Sequence, residues 1–315
     1  MLAMYFSQQA GKLFLPAAKL MFSLAECVPW LAVLLTLSLA IIILNLITII
    51  VFIKNRSLRK RSTYLMINLA VADMLAGIFS TDEFSLLGAN LCNLWEHIVP
   101  VKLAVYMTFF SFLFPVASVT NISAISLERL HATLLPLRHR VMQKWIYGLI
   151  VAIIWVTAGL LSTGIVVLDQ FKQGSHDFYL WSSFNLICLL IISVSYVSIV
   201  IKVRCGVQPH HHGAASRERK LTMILLIVTV VSLLMWLPWV IISFLYFTTD
   251  IFSSVSEIAI VRLNLVLIVF YYANSLVNPI LYTARMSDFR RTLVALFRRR
   301  PRQLNQARVT PLRDM

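Results

Sequence analysis

The sequence predicts an all-α membrane protein: a bundle of seven transmembrane helices followed by a short amphipathic eighth helix. Three observations lead there. Hydrophobic residues make up 59% of the 315 residues and charged residues only 13%, against roughly 45–50% and about 25% in soluble globular domains. Seven apolar stretches are each long enough for a hydrocarbon core of about 30 Å, which takes about 20 residues at a rise of about 1.5 Å each. Finally, lysine and arginine gather on one side of those stretches, as cytoplasmic loops do.

The spans are predicted at 28–53, 63–88, 98–131, 144–168, 179–203, 217–248 and 260–284, with an amphipathic segment at 286–298. The inner connections and tail carry 23 cations, five from Lys54 to Arg61, four from Arg129 to Lys144, five from Lys202 to Lys220 and nine from Arg285 to Arg313. The opposite side carries five: Lys12, Lys19, Lys102, Lys172 and Arg262. This asymmetry places the N-terminus outside and the C-terminus inside. The chain divides into an extracellular segment 1–27, a bundle 28–285 and an amphipathic helix with a basic cytoplasmic tail, 286–315.

Each span carries few polar residues, and these are informative because a charged side chain at a bilayer centre costs about 2.5–3.5 kcal/mol on insertion scales. The first span holds Asn45 in "LNLI". The second holds Asp73 in "NLAVADMLAG", about ten residues in and so near mid-membrane. Ten residues further outward stands Glu83, about 80° short of sharing the Asp73 side, with Asp82 about 100° back as its rival. An acid there would select a cationic ligand group; a rim salt bridge with Lys102 is the competing reading.

The third span contains Ser111, Pro115 and Ser118 and ends in "SLERLHATLLPLRHR", where Glu128 and Arg129 stand side by side at the rim. Ser118 and Arg129 are eleven residues apart, about three turns, so one helix face runs from mid-bundle to the cytoplasm. Arg129 therefore lies at the inner mouth of an inward-facing stripe. Glu218, in "SRERKLTMILL" at the start of the sixth span, sits at the same level. For Glu128 and Glu218 alike, a solvated rim charge is the alternative.

In the sixth span "MWLPW" puts Trp236 two residues before Pro238, whose missing N–H predicts a kink. In the seventh, "YYANSLVNPILY" spaces Asn274, Asn278 and Tyr282 at four-residue steps on one face, with Pro279 beside them. With Asp73, Asn45 and Ser118 these residues predict a hydrated polar cluster inside the bundle.

These residues, in this order on seven spans, resemble the rhodopsin-like G-protein-coupled receptors over about 30–298. The motifs are Asn45, "LAVAD" ending in Asp73, Glu128-Arg129, Trp155, Tyr196, "MWLP" with Trp236 and Pro238, and "NPILY" from Asn278 to Tyr282. The resemblance implies a receptor that passes the binding of an extracellular small molecule, lipid or short peptide to cytoplasmic heterotrimeric G proteins through movement of the sixth helix. Arg129 would be the switch, restrained by Glu128 and Glu218. Trp236 would be a toggle beneath a ligand pocket bordered by Ser111, Ser243 and Tyr272, and Tyr196 and Tyr282 would steady the open state. Asp73, Ser118, Asn274 and Asn278 match the family's sodium pocket, so a sodium ion is expected as an allosteric ligand in a protein with no other cofactor. A plasma-membrane location and arrestin-like regulators follow from the same resemblance.

Departures narrow it. Leu130 stands where a tyrosine usually follows the arginine, Ala104 where a cysteine usually ends the third helix, and Cys188 where a fifth-helix proline is common. The last two losses resemble, in part, the branch holding melanocortin, lysophospholipid, cannabinoid and adenosine receptors. Ser111 replaces the aspartate of aminergic receptors, Ser243 and Tyr272 replace the asparagine and histidine of adenosine receptors, and 260–284 has no lysine for retinal.

Other classes fit less well. The net charge of +15 suits anionic inner-leaflet lipid and an acidic cytosolic partner better than nucleic acid, because the cations sit at span ends. No intramembrane Ser-His pair or metal-ligand spacing suggests an enzyme. An ion-coupled transporter or channel using Asp73 as ion ligand is the main alternative, but the paired halves usual in such folds are not visible. The "HHH" tract at 210–212 reads as a solvated loop. The N-terminal 27 residues lack the pattern of a cleaved signal peptide. Of four cysteines, Cys27 and Cys92 fall near the outer, oxidising face, where a bridge or two free thiols are both open. Cys205 lies where an inner-loop lipid attachment is expected.

Overall fold

The computed structural model describes residues 23–55, 62–92, 101–171, 176–205 and 214–297. The long helices are α1 (Leu24–Lys54), α2 (Thr63–Cys92), α3 (Val101–Leu134), α4 (Lys144–Gln170), α5 (His176–Cys205), α6 (Ala214–Thr248) and α7 (Glu257–Arg285), followed by the short α8 (Ser287–Phe297). A helical turn, Pro136–Val141, lies between α3 and α4, with Pro136 at its first position. There a missing N–H costs nothing, because no carbonyl awaits it.

α1 to α5 and α7 are long and apolar enough to cross a membrane, and α6 has a described apolar stretch at Val230–Tyr246. The protein is a multi-pass membrane protein. Several helices overrun the predicted spans; α1 starts four residues earlier and α3 ends three later, since a helix continues past the hydrocarbon wherever its packing does.

α3 is the central helix: 72% of its apolar window is buried, against 28% in α1 and in α4. The peripheral helices turn large apolar side chains outward, among them Leu39, Ile43 and Leu46 of α1 and Leu149, Ile153 and Leu160 of α4. In water such a surface would drive association; in lipid it is the solvated face.

Lipid gives no hydrophobic drive between helices, so close backbone approach and interhelical hydrogen bonds hold the bundle. At the α1–α2 crossing a Cβ on Gly77 would stand 2.8 Å from Ile41 Cγ2, so only glycine allows this approach. Beside it the Ser38 and Ser80 hydroxyls share a 2.8 Å hydrogen bond. Asn45 donates to the Ser275 carbonyl at 3.1 Å, Asn121 to the Leu65 carbonyl at 3.1 Å, and Trp155 Nε1 to Asn68 Oδ1 at 3.0 Å. Three polar side chains, Asn45, which the sequence marked, and Asn68 and Asn121, which it did not, thus tie helices together.

At the outer rim Arg262 of α7 pairs with Glu26 of α1 at 2.8 Å. Cys27 is disulfide-bonded; Cys92, its expected partner, has a side chain outside the described residues. Cys188 is free and buried. At the inner rim Asn55 donates to Thr292 Oγ1 at 2.6 Å, and Phe52, Tyr282 and Phe289 pack with ring centroids 5.4–6.1 Å apart. These contacts dock α8 against α1 and α7.

Candidate functional site: two buried polar clusters

Asp73 is fully buried. Its Oδ1 accepts from the Ser118 hydroxyl at 2.7 Å and the Ser275 hydroxyl at 3.0 Å, and its Oδ2 from the Asn278 amide at 2.9 Å. α3 and α7 therefore meet on one carboxylate of α2. Among the described residues no cation pairs with it. Asn274, expected as a fourth member, is buried with its Oδ1 lacking a hydrogen-bond partner, and Asn278 Oδ1 is in the same condition. The donor to the carboxylate is the neighbouring Ser275, which the sequence reading passed over. The side chain of α7 that reaches Asp73 is set by helix rotation, and it favours 275 and 278 over 274.

At the inner end of α3, Glu128 and Arg129 are both buried, which overturns the solvated-rim reading of Glu128. Arg129 Nε donates to Glu128 Oε2 at 2.5 Å and Nη2 to Oε1 at 2.6 Å; Nη2 also donates to the Ser62 hydroxyl. Glu128 Oε1 further accepts from Ser62 at 2.9 Å and from the Tyr147 hydroxyl at 3.2 Å, and lies 2.7 Å from His139 Nε2. The carboxylate is thus a hub for α3, α4, the start of α2 and the turn 136–141. Five contacts converge on the carboxylate, four of them on Oε1, and an acceptor-only, ionised group is the form that suits them. Glu218, the expected partner from α6, has its side chain outside the described residues.

Above these clusters Trp236 is buried and stacks on Tyr271, with centroids 6.2 Å apart and planes at 21°. α6 continues through Pro238 and α7 through Pro279. Tyr196 is buried, and so is Tyr282, whose hydroxyl has no hydrogen-bond partner among the described residues.

The sequence matches the family model for the 7 transmembrane receptor (rhodopsin family) over residues 44–282. The chain belongs to the rhodopsin-like seven-transmembrane receptors. Relatives include a QRFP-like peptide receptor from Branchiostoma floridae, 22% identical over 87% of this chain and 78% of its own length. Galanin receptor 2a from Danio rerio is 26% identical over 80% and 73%, and lysophosphatidic acid receptor 1-A from Xenopus laevis 27% over 82% and 72%. The receptor is not an enzyme; as in its family, it carries an extracellular ligand signal to G proteins. The transporter reading finds no support in these relatives.

The outer half of the receptor treats the expected ligand residues unequally. Asp82 is exposed. It lies nine residues from Asp73, about two and a half turns, and so on the opposite side of α2. The side chain of Glu83, its rival, is outside the described residues. The Ser111 hydroxyl turns back on its own helix to the Met107 carbonyl at 2.8 Å. Four residues later Pro115, buried in α3, lacks the N–H that would bond the carbonyl of Ser111. Ser243 is half-buried, and Tyr272 is buried edge-on to Phe84, with centroids 5.3 Å apart.

Ser62, His139 and Tyr147 are members of the Glu128 cluster that the sequence reading missed. His139 lies in the same "SLERLHATLLPLRHR" stretch as Glu128, eleven residues on. Pro136 between them was a signal that the chain turns there and could return.

Proposed function

We propose that this is a plasma-membrane receptor with its N-terminus outside, binding a small molecule, lipid or short peptide, and activating G proteins when Arg129 leaves Glu128. The observation that carries this is the sealed Glu128–Arg129 pair, with both side chains buried at the cytoplasmic end of the central helix. An ion pair sealed there is a two-state element: held, it closes the inner mouth; released, it presents a cation to a partner. Glu218 is the proposed second restraint from α6, and arrestin-like regulators the proposed competitors for the same surface. Peptide and lysophosphatidic acid receptors among the relatives support both ligand classes. Glu83, with Asp82 as its rival, is the proposed acid at the outer end of α2 for a cationic ligand group.

Sodium at Asp73 belongs to the same proposal. The residues suit a hard cation: a carboxylate, the Ser118 hydroxyl and two buried amide oxygens, of Asn274 and Asn278, without partners. A buried carboxylate with only neutral donors is short of one positive charge. The ion would supply that charge and hold α2, α3 and α7 together in the closed state. Sodium should therefore weaken agonist binding, and Asp73→Asn should be insensitive.

The decisive experiment is a second-messenger screen in cells with amine, nucleoside, lipid and peptide pools. A ligand-dependent response that Arg129→Ala loses at unchanged surface expression, and that Glu218→Ala raises in the absence of ligand, is the expected result. A response indifferent to both substitutions would refute the switch.

A further inference from the structure

His139 is the one member of the inner cluster that reaches solvent: its side chain is 17% exposed, against 3% for Glu128 and 1% for Arg129. Its Nε2 sits 2.7 Å from Glu128 Oε1 and 3.3 Å from the Tyr147 hydroxyl. Among the described residues the groups around it are few. From α3 come Glu128, Arg129 and His131, whose ring centroid is 5.8 Å away; from α4 come Tyr147 and, at the exposed start, Lys144; its own turn adds Arg138 and Arg140, both exposed.

We propose that His139 is a proton-sensing residue of the inner switch, taking up a cytoplasmic proton to stabilise the Glu128 carboxylate when Arg129 leaves it. This rests on the reading that Arg129 is released on activation. While Arg129 is in place the buried pair is neutral, and neutral His139 donates from Nε2 to Glu128 Oε1. A second cation then gains little and faces Arg129. Once Arg129 departs, Glu128 is a buried anion whose donors among the described residues, Ser62, Tyr147 and His139, are all neutral, and a buried charge without a partner is strongly disfavoured. A proton added to the lone pair of Nδ1 breaks no bond and converts His139 into the missing cation, already within hydrogen-bond distance. The released state thus binds that proton more tightly than the held state, and by linkage the proton favours release. Histidine is the side chain whose charge changes in the range of cytoplasmic acidification.

The test uses the purified full-length receptor in lipid nanodiscs with a purified heterotrimeric G protein, following ligand-free nucleotide exchange. Relative to His139→Gln, whose amide still donates but takes no proton, wild type should gain about threefold in exchange between about pH 7.5 and 6.0. Parallel pH profiles for the two proteins would overturn the proposal. A second readout needs no G protein: the imidazole ¹³Cε1 resonance of His139, assigned by its loss in His139→Gln. Its titration should move up by about one unit in Arg129→Gln, a tenfold change in proton affinity; an unchanged or lowered titration would refute the charge compensation. Should Arg129→Gln not fold, Glu128→Gln decides instead, with the His139 titration expected below that of wild type and an equal value counting against us. Absent exchange at every pH in both proteins would indict the release of Arg129, while the resonance still judges His139.

Discussion

Asp73 and Glu128 are carboxylates sealed in the same bundle, and their partners are opposite in kind. Glu128 has a cation of its own chain beside it: Arg129 grips both of its oxygens, and Ser62, His139 and Tyr147 fill the rest. Asp73 receives only hydroxyl and amide donors, from Ser118, Ser275 and Asn278. A carboxylate with a built-in cation makes a mechanical restraint, because opening it means separating charge. One with neutral donors is open to an exchangeable cation, which makes its state depend on what is dissolved outside.

Removing each acid should expose this contrast most strongly. Glu128→Ala strands a buried guanidinium and should cost about 3–5 kcal/mol of stability. Asp73→Ala strands neutral donors at about 1–3 kcal/mol. Thermal unfolding of both variants in the same membrane mimic would break the comparison if the two losses were equal. A gentler form keeps the shape and removes the charge. Asp73→Asn should stay within about 1 kcal/mol of wild type and lose any sodium-dependent rise in melting temperature; a sodium shift as large as in the native receptor would place the ion elsewhere.

Ser275 and Asn274 sharpen the picture inside the Asp73 cluster. Ser275→Ala should cost about 0.5–1.5 kcal/mol whether or not sodium is present, since it loses a made hydrogen bond. Asn274→Ala should matter only in sodium, through the amide oxygen that has no partner without the ion. Melting curves in sodium and in a large organic cation decide this, and a sodium-independent loss in Asn274→Ala would remove it from the ion site. The smallest effect belongs to the outer rim. The Arg262–Glu26 pair has side chains 52% and 34% exposed, and such pairs contribute about 0–1 kcal/mol. Arg262→Ala should therefore change stability little and less still at high salt; a loss near that of Glu128→Ala would mean that exposure is no guide to these charges.

The sequence alone determined the seven-helix bundle and most of the Asp73 cluster. An acid or amide inside an apolar run has few reasons to be there, so Asp73, Asn45 and Asn278 stand out against it. Arg129 was legible for the same reason, as a charge at the end of a stripe shared with Ser118. Serine carries no such signal, because its hydroxyl can satisfy itself on its own helix, as Ser111 does on Met107 and Ser195 on Ile191. Only the rotation of α7 decided that Ser275 faces Asp73, and only the rotation of α2 turned Asp82 outward. The same holds at the inner rim, where the return of the chain after Pro136 brings His139 onto Glu128. Spacing along one helix is fixed by a rise and a turn that every residue shares; the contact between two helices depends on how each is rotated by packing along its whole length.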